Sequence, residues 1–301
     1  MAGFCPAIRG VGKVSSAAMS NQPNVDSGGK RGHYGASLLA AIADPARPRI
    51  SARAVLVFAH PDDETLACGA LLPRLESATI VHVTDGAPRS GGDAQRHGFA
   101  TANAYAAARR IELRDGMALA DISEEHLVCL GVADQGAPIA LGQIARQLVP
   151  FLAGADIVIT HAYEGGHPDH DAVCWAVHAA HRHLTDARPV LIDVPLYRLG
   201  SDGDWLRQSF GGDDGEIILR LAPAERDWKA RMIAAHATQA GTLAGFGVAD
   251  EPYRIAPAYD FARLPNGGAL LYEHYGWGLT GARWLDLVAE ATGELQPERA
   301  T

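Results

Sequence analysis

Cysteine is scarce and carries no pattern. Four residues are spread through 301 positions, Cys5, Cys68, Cys129 and Cys174, with no C-x-x-C spacing. That composition gives no disulfide framework and no thiolate zinc site, and it fits a reducing compartment, so a cytoplasmic location is expected. Also missing is any uninterrupted apolar run of the roughly 20 residues that a membrane span needs. The first 20 residues hold no solid apolar stretch of the kind a secretory signal requires. There is no basic stripe, and the formal charge of -9 argues against a general nucleic-acid binder. Gly28-Gly29-Lys30 is not a phosphate loop, because it lacks the second glycine spacing and a preceding strand. No internal repeat is visible. Residues 1–50 read as a flexible tail, the start of it rich in Gly, Ser, Asn and Pro, and Met19 offers a second start position. Residues 51–301 read as a single domain.

What is present is ordinary core material, with 48% hydrophobic and 20% charged residues, enough for one large domain. From Arg53 onward, short β-branched runs alternate with longer helical stretches, which is the pattern of βαβ units and a parallel sheet. Strands are expected at Ala54 to Ala59, Thr79 to Val83, His126 to Leu130, Asp156 to Thr160, Val190 to Val194 and Glu216 to Leu221. Helices are expected at Asp62 to Ser77, Thr101 to Arg114, Leu141 to Leu152, from the second cluster described below to Leu184, and at Ala224 to Ala240. Beyond Tyr197 the alternation breaks. A polar loop at Ser201 to Gly215 and a short strand near Ala269 to Glu273 belong to an irregular C-terminal cap. The fold class is therefore α/β, a mostly parallel sheet with helices on both faces.

Two clusters carry the chemistry: His60-Pro61-Asp62-Asp63-Glu64 and His167-Pro168-Asp169-His170-Asp171. Each follows an apolar strand and opens a helix, and in open parallel sheets ligands bind outside the carboxyl ends of the strands. Pro followed by acids is also a common helix start, since the macrodipole favours anions there. Helix capping does not call for His60, His167 or His170, and a repeated His-Pro-Asp at two strand ends is hard to explain by capping alone. A catalytic zinc site takes three N/O ligands and keeps one position open for water. The clusters supply that set and leave a carboxylate and an imidazole over for proton transfer, the pair that amide hydrolysis uses. Spacing alone does not decide which aspartate ligates or which histidine stays free.

The segments Val57-Phe58-Ala59-His60-Pro61-Asp62-Asp63-Glu64-Thr65-Leu66 and Gly166-His167-Pro168-Asp169-His170 resemble those of the PIG-L/LmbE-like zinc deacetylases, which act on N-acetylglucosamine conjugates. The resemblance runs over roughly residues 53–280. It implies a Rossmann-like fold and zinc, or another divalent ion such as Fe2+, held by His60, Asp63 and His170. Asp62 would then be the general base and His167 the oxyanion stabiliser and general acid, with Asp169 as the partner of its imidazole. Arg109, Asp134 and His236 would meet the substrate, with Ala133 standing where the family turn has proline. Lys229, His236 and Gln239 resemble a helix near the substrate entrance.

The other histidines read differently. His236 and Gln239 share a helix face as a half-packed pair, and His82 and His97 read as incidental. His161 sits where it could support the site. His178, His181 and His183 lie on a helix leaving the site, and Trp175 reads as core. Tyr163, Trp205, Tyr253 and Trp277 fall in loops where aromatics could stack on a sugar. The resemblance implies deacetylation of an N-acetylated amino sugar in a small-molecule or glycoconjugate substrate, and leaves homo-oligomerisation open. An amidase for another acyl amide, such as a thiol conjugate, would use the same chemistry. A sugar-binding module of the same fold would not need Asp62 and His167. A metallophosphoesterase would need a second metal and more bridging ligands than the sequence offers.

Overall fold

The computed structural model describes residues 27–44, 46–47, 49–185, 187–211 and 215–296. In chain order its elements are α1 (Ser27–Ala43), β1 (Ile50–Phe58), α2 (Asp63–Cys68), β2 (Leu75–Pro88), α3 (Gly92–Arg96), α4 (Ala102–Leu119), β3 (Leu127–Asp134), α5 (Leu141–Leu152), β4 (Ile157–His161) and α6 (Pro168–Arg182). There follow β5 (Val190–Val194), β6 (Tyr197–Leu199), β7 (Trp205–Arg207), β8 (Ile217–Arg220), α7 (Pro223–Ala235), α8 (Ala240–Leu243), β9 (Asp250–Ile255), α9 (Leu271–His274) and α10 (Gly281–Glu294).

The main sheet runs β3-β2-β1-β4-β5-β9-β8. Its first five strands are parallel, while β9 pairs antiparallel with both β5 and β8. Period-two alternation sends Leu56 and Phe58 of β1 to one face, where they pack with residues of α1, α2, α4 and α7. Val55 and Val57 point the other way, into a second core closed by α5, α6 and α10. Helices thus cover both faces, as the hydrophobic strands require. None of the helices among the described residues is long and apolar enough to cross a membrane.

The N-terminal expectation needs correcting. Residues 1–26 lie outside the described residues, but Ser27–Ala43 is helical, with Leu38, Leu39 and Ile42 buried against the sheet. Arg74 holds its end in place. The guanidinium donates to the carbonyls of Ala41 (3.1 Å), Ile42 (2.8 Å), Asp44 (2.9 Å) and Arg47 (2.9 Å). It thereby satisfies acceptors that a helix terminus leaves without a partner.

The cap also departs from expectation. The polar loop after Tyr197 contains the β6–β7 hairpin, and residues expected as a strand at 269–273 enter the single-turn helix α9. Strand β9 and helix α10 were not anticipated.

Helix α2 is far shorter than the stretch to Ser77 that its pattern suggests. It stops at Cys68, and Pro73 opens a separate 3-10 turn, because proline brings no N–H to a continuing helix. The freed carbonyls at its end are taken up by distant side chains. Lys229 Nζ donates to Leu66 O (2.7 Å), and the Tyr253 hydroxyl lies 3.2 Å from Ala67 O. Lys229 is fully buried and also pairs with Glu251 (2.8 Å), whose carboxylate further accepts from Ala70 N (2.8 Å) and Tyr253 OH (2.7 Å). Breaking a buried pair strands the remaining charge. Lys229→Ala should therefore cost about 3–5 kcal/mol, read from the denaturant midpoint at constant slope. A loss below about 1 kcal/mol, the scale of a surface pair, would show that the pair does not anchor α2.

Candidate active site

Strands β1 and β4 are hydrogen-bonded neighbours, with Val57 opposite Thr160. From this pair the chain winds outward in both directions, to β2 on one side and β5 on the other. The two strands therefore flank the topological switch point, where loops leaving their carboxyl ends enclose a crevice. His60 follows β1, His167 opens α6 after β4, and their rings meet edge to face with centroids 4.6 Å apart.

The loop after β1 is bent sharply. Asp62 has φ 143° and ψ -25°, a region that non-glycine residues rarely adopt. Several bonds hold it there. Arg109 Nη2 donates to Pro61 O (3.0 Å) and to Asp62 Oδ2 (2.8 Å). The backbone N–H of Asp62 donates to Glu64 (3.1 Å), and its carbonyl accepts from Thr65 N and Leu66 N (both 3.0 Å). Burial pushes the Asp62 carboxyl up to about 8 against the pull of Arg109. Glu64 faces away from the cavity and accepts from His82 Nε2 (2.8 Å) and Thr65 Oγ1 (2.7 Å). Burial opposes its charge, but His82, His236 and the Thr65 hydroxyl together keep the carboxyl below its usual range. His82 is therefore not incidental. It braces the helix that carries Asp63, and a lone polar residue inside the apolar run Ile80 to Val83 is the only sign of this in the sequence.

The loop after β4 needs glycine at 166, because a Cβ there would fall 1.8 Å from Tyr197 O. His167 then caps α6, with Nδ1 accepting from Asp169 N (3.1 Å) and Pro168 in the first turn. An accepting Nδ1 places the proton of the neutral ring on Nε2, which lies 4.0 Å from Asp134 Oδ1. The Asp169 carboxylate does not partner His167, as the resemblance implied. Two backbone N–H groups, of Gln135 (2.6 Å) and Ala137 (3.0 Å), turn it toward His60 Nε2 at 3.2 Å. His60 Nδ1 is then left facing Asp63 and His170.

The donor set fits a divalent metal. His60 Nδ1 and His170 Nε2 are 3.2 Å apart, and Asp63 stands 3.4 Å from each, through Oδ2 toward His60 and Oδ1 toward His170. Ligands at the zinc–nitrogen and zinc–oxygen bond length of 2.0–2.1 Å stand about 3.3 Å from one another in a tetrahedron. His60 also meets the habit of ligating histidines, giving its second nitrogen to a carboxylate. His161 stacks on His170 with centroids 4.0 Å apart, and its Nε2 accepts from Ala59 N (2.9 Å) and lies 3.4 Å from Asp63. Overlapping sets, His60 with His167 and His170, and Asp63 with His161 and His170, each bring ligand atoms within 4.8 Å of one another. Asp62, Asp63, Asp134 and Asp169 crowd this buried spot with Arg109 as the nearby guanidinium, a balance that favours a cation.

A cavity of about 570 Å³ opens onto the cluster. His60, Asp62, Asp63, Arg109, Asp134 and His167 line it, while Asp169 and His170 sit directly behind His60. His236 does not reach the cavity. It is 1% exposed behind α2, 3.3 Å from Thr65 Oγ1, which corrects its expected substrate contact. Lys229 likewise lies under α2 and not at an entrance, whereas Gln239 lines the cavity and bonds Tyr105. The opposite wall is made by Tyr197, Trp205, Arg207, Phe246 and Trp277, so of the four loop aromatics considered for stacking on a sugar Trp205 and Trp277 line the cavity, while Tyr253 is buried in β9.

A Rossmann-like sheet with a buried His/Asp cluster at its switch point defines an α/β protein whose donor groups fit a metal ion. Residues 55–181, from within β1 to α6, match the family model described as PIG-L: GlcNAc-PI de-N-acetylase. Among solved structures, the chain resembles the A40926 pseudoaglycone deacetylase Dbv21 at 18% identity and a TM-score of 0.54, covering 70% of this chain and 100% of that one. It also resembles the zinc-inhibited form of the teicoplanin deacetylase Orf2, at 14% identity and a TM-score of 0.50 over 69% of this chain and 100% of that one. The N,N'-diacetylchitobiose deacetylase from Pyrococcus horikoshii is similar at 18% identity and a TM-score of 0.50, covering 78% and 94%. At such identities the likeness speaks for the fold. No curated protein sequence matches the chain.

Gly166→Ala provides a direct test of how tightly the second loop is held. Its methyl group would force the backbone away from Tyr197 and drag His167 with it, costing at least the about 1–3 kcal/mol typical of overpacking. Thermal and denaturant unfolding would read that loss, and an alanine variant of native stability would mean the loop is free to shift.

Proposed function

We propose that the chain is a metal-dependent N-deacetylase that hydrolyses the acetamide of an N-acetylated amino sugar within a larger conjugate, releasing acetate and a free amine. The observation that carries this reading is the His60, Asp63 and His170 donor set, with His60 and Asp63 lining one cavity beside Asp62 and His167 and His170 directly behind them. His60, Asp63 and His170 would hold zinc or another divalent ion such as Fe2+, which when bound lowers the pKa of water and polarises the acetyl carbonyl.

The chain's own groups do the rest. Asp62, whose carboxyl a cation held beside it would return to the ionised form, accepts the proton of the attacking water, and Arg109 fixes the carboxylate through the bond to Oδ2. His167 presents its Nε2–H to the oxygen that gains charge as water adds to the carbonyl. Burial and the neighbouring His60 keep His167 neutral beforehand, and its proton affinity rises as negative charge grows beside it. The C–N bond then breaks, the electron pair stays on nitrogen, and proton transfer from the site completes the amine. Asp169 serves as a positioning residue, holding His60 in the tautomer that leaves Nδ1 free.

The first test is metal content of the purified protein together with acetate release from a panel of N-acetylglucosamine conjugates. Asp62→Asn should retain its metal and lose about 10²–10⁴-fold in turnover. Near-normal turnover by that variant would remove Asp62 from the proton path. Asp169→Asn should weaken metal affinity by about 10–100-fold, measured by competition with a chelator. Wild-type affinity in that variant would mean that His60 is oriented by something else.

A further inference from the structure

The stretch Ala162 to Gly166 carries the chain from β4 to His167, and two carboxyls hold it from opposite sides. From the first turn of α6, Asp171 Oδ1 accepts the backbone N–H groups of Glu164 (3.2 Å) and Gly165 (3.1 Å). The Glu164 side chain reaches the other way. Its Oε1 accepts from Leu196 N (2.7 Å) and Tyr197 N (3.1 Å), where the chain enters the segment that builds the facing wall. Glu164 and Leu196 are both buried, so water does not replace these bonds if the carboxyl is lost.

Tyr197 is the residue this contact places. Its ring stacks on Trp205, with centroids 4.8 Å apart, and meets the ring of His170 edge-on at 5.1 Å. Trp205 lies 6.0 Å from Trp277, and Trp277 lies 5.5 Å from His167. A closed circuit results. The start of α6 holds the Glu164 backbone, the Glu164 carboxyl holds Tyr197, and Tyr197 with its neighbours lies against the histidines that open α6. The separation of the reacting groups from the aromatic wall thus runs through one side chain. A displacement of about 1 Å in such a wall is enough to spoil the alignment of a bound substrate.

We propose that Glu164 is a positioning residue that fixes the Tyr197–Trp205 wall relative to His167 and His170, and thereby sets how strongly the cavity prefers a conjugate over the bare sugar. The kinetic half of this proposal rests on the deacetylase reading, whereas the tether does not.

Three variants separate positioning from support. Glu164→Ala removes the acceptor, Glu164→Asp falls one methylene short, and Glu164→Gln keeps an acceptor oxygen at the same reach. Burial pushes the Glu164 carboxyl up to about 8, so at neutral pH it already resembles the uncharged amide. The residue also borders a second cavity of about 240 Å³, which gives the glutamine NH2 room. Each zinc-loaded protein is examined by amide hydrogen exchange, and by calorimetry and acetate release with N-acetylglucosamine and its phenyl glycoside. In Glu164→Ala the amides of Leu196 and Tyr197 should exchange faster while those of β1 stay protected. The preference for the phenyl glycoside should fall about tenfold in Kd and in kcat/KM, with zinc affinity and turnover of the free sugar retained. Glu164→Gln should restore the preference, and Glu164→Asp, which should behave like alanine, carries the test where Glu164→Ala does not fold.

A preference that persists after those amides loosen reduces Glu164 to structural support and overturns the proposal. So does unchanged exchange, an equal loss for both probes, a glutamine variant no better than alanine, or a wild type that binds the two probes alike or neither. A Glu164-dependent preference in binding, without acetate release by the wild type, upholds the tether and rejects deacetylation. Acetate release with a preference indifferent to Glu164 does the reverse.

Discussion

The interaction on which the site depends is the crowding of carboxylates at a place where water is largely excluded. Asp62, Asp63, Asp134 and Asp169 converge at the end of β1 and β4, and charges of one sign out of water repel strongly unless each is answered. The surrounding structure is arranged to answer them. Arg109 takes Asp62, the backbone N–H of His60 donates to Asp63 (2.8 Å), and two backbone N–H groups hold Asp169. Even Glu64, turned away from the cavity, has His82 beneath it. Remove any one of these and the others lose the geometry that makes them partners.

Much of this was readable in the sequence because chemistry and periodicity coincide there. The β-branched runs at Val55 to Phe58 and Ile157 to Thr160 are buried parallel strands, and the His-Pro-Asp units mark their exits. What was not readable arose from contacts between distant residues. Pro73 announces a break in the helix, but that α2 already ends at Cys68 depends on Lys229 and Tyr253, far along the chain. Helix α1 fails as a tail for the same reason, since Arg74 caps it. Strand β9 was hidden by Pro252. Its pairing with β5 is confined to Arg254 and Ile255, so the missing N–H of the proline costs little there. The run around Leu270 is short and apolar, the case in which strand and helix look alike. Helix α10 did leave a signal, with Trp284, Leu287, Val288 and Ala291 at helical spacing behind Thr280 as cap.

The two His-Pro-Asp units, so alike in sequence, do different work. In the first, Asp62 takes a strained backbone and faces the cavity. In the second, the aspartate turns inward to His60, and the histidine before the proline caps its own helix. A one-to-one mapping between the units would have given Asp169 the wrong partner. The difference comes from neighbouring elements: Arg109 reaches the first loop, and the turn after β3 offers its N–H groups to the second.

The reacting groups lie between His60 and His170, yet the facing wall is assembled from Tyr197 onward, by the β6–β7 hairpin, Phe246 and Trp277. The two halves of the cavity are thus written in separate stretches of the chain and meet only in three dimensions. Such a division lets selection rewrite the molecules admitted without disturbing the reaction performed. It also marks the tip of the β6–β7 hairpin, with Phe246 and Trp277, as the part to exchange when a new acceptor is wanted, while Tyr197, Lys229 and Tyr253, which brace the β1 and β4 exits, would stay.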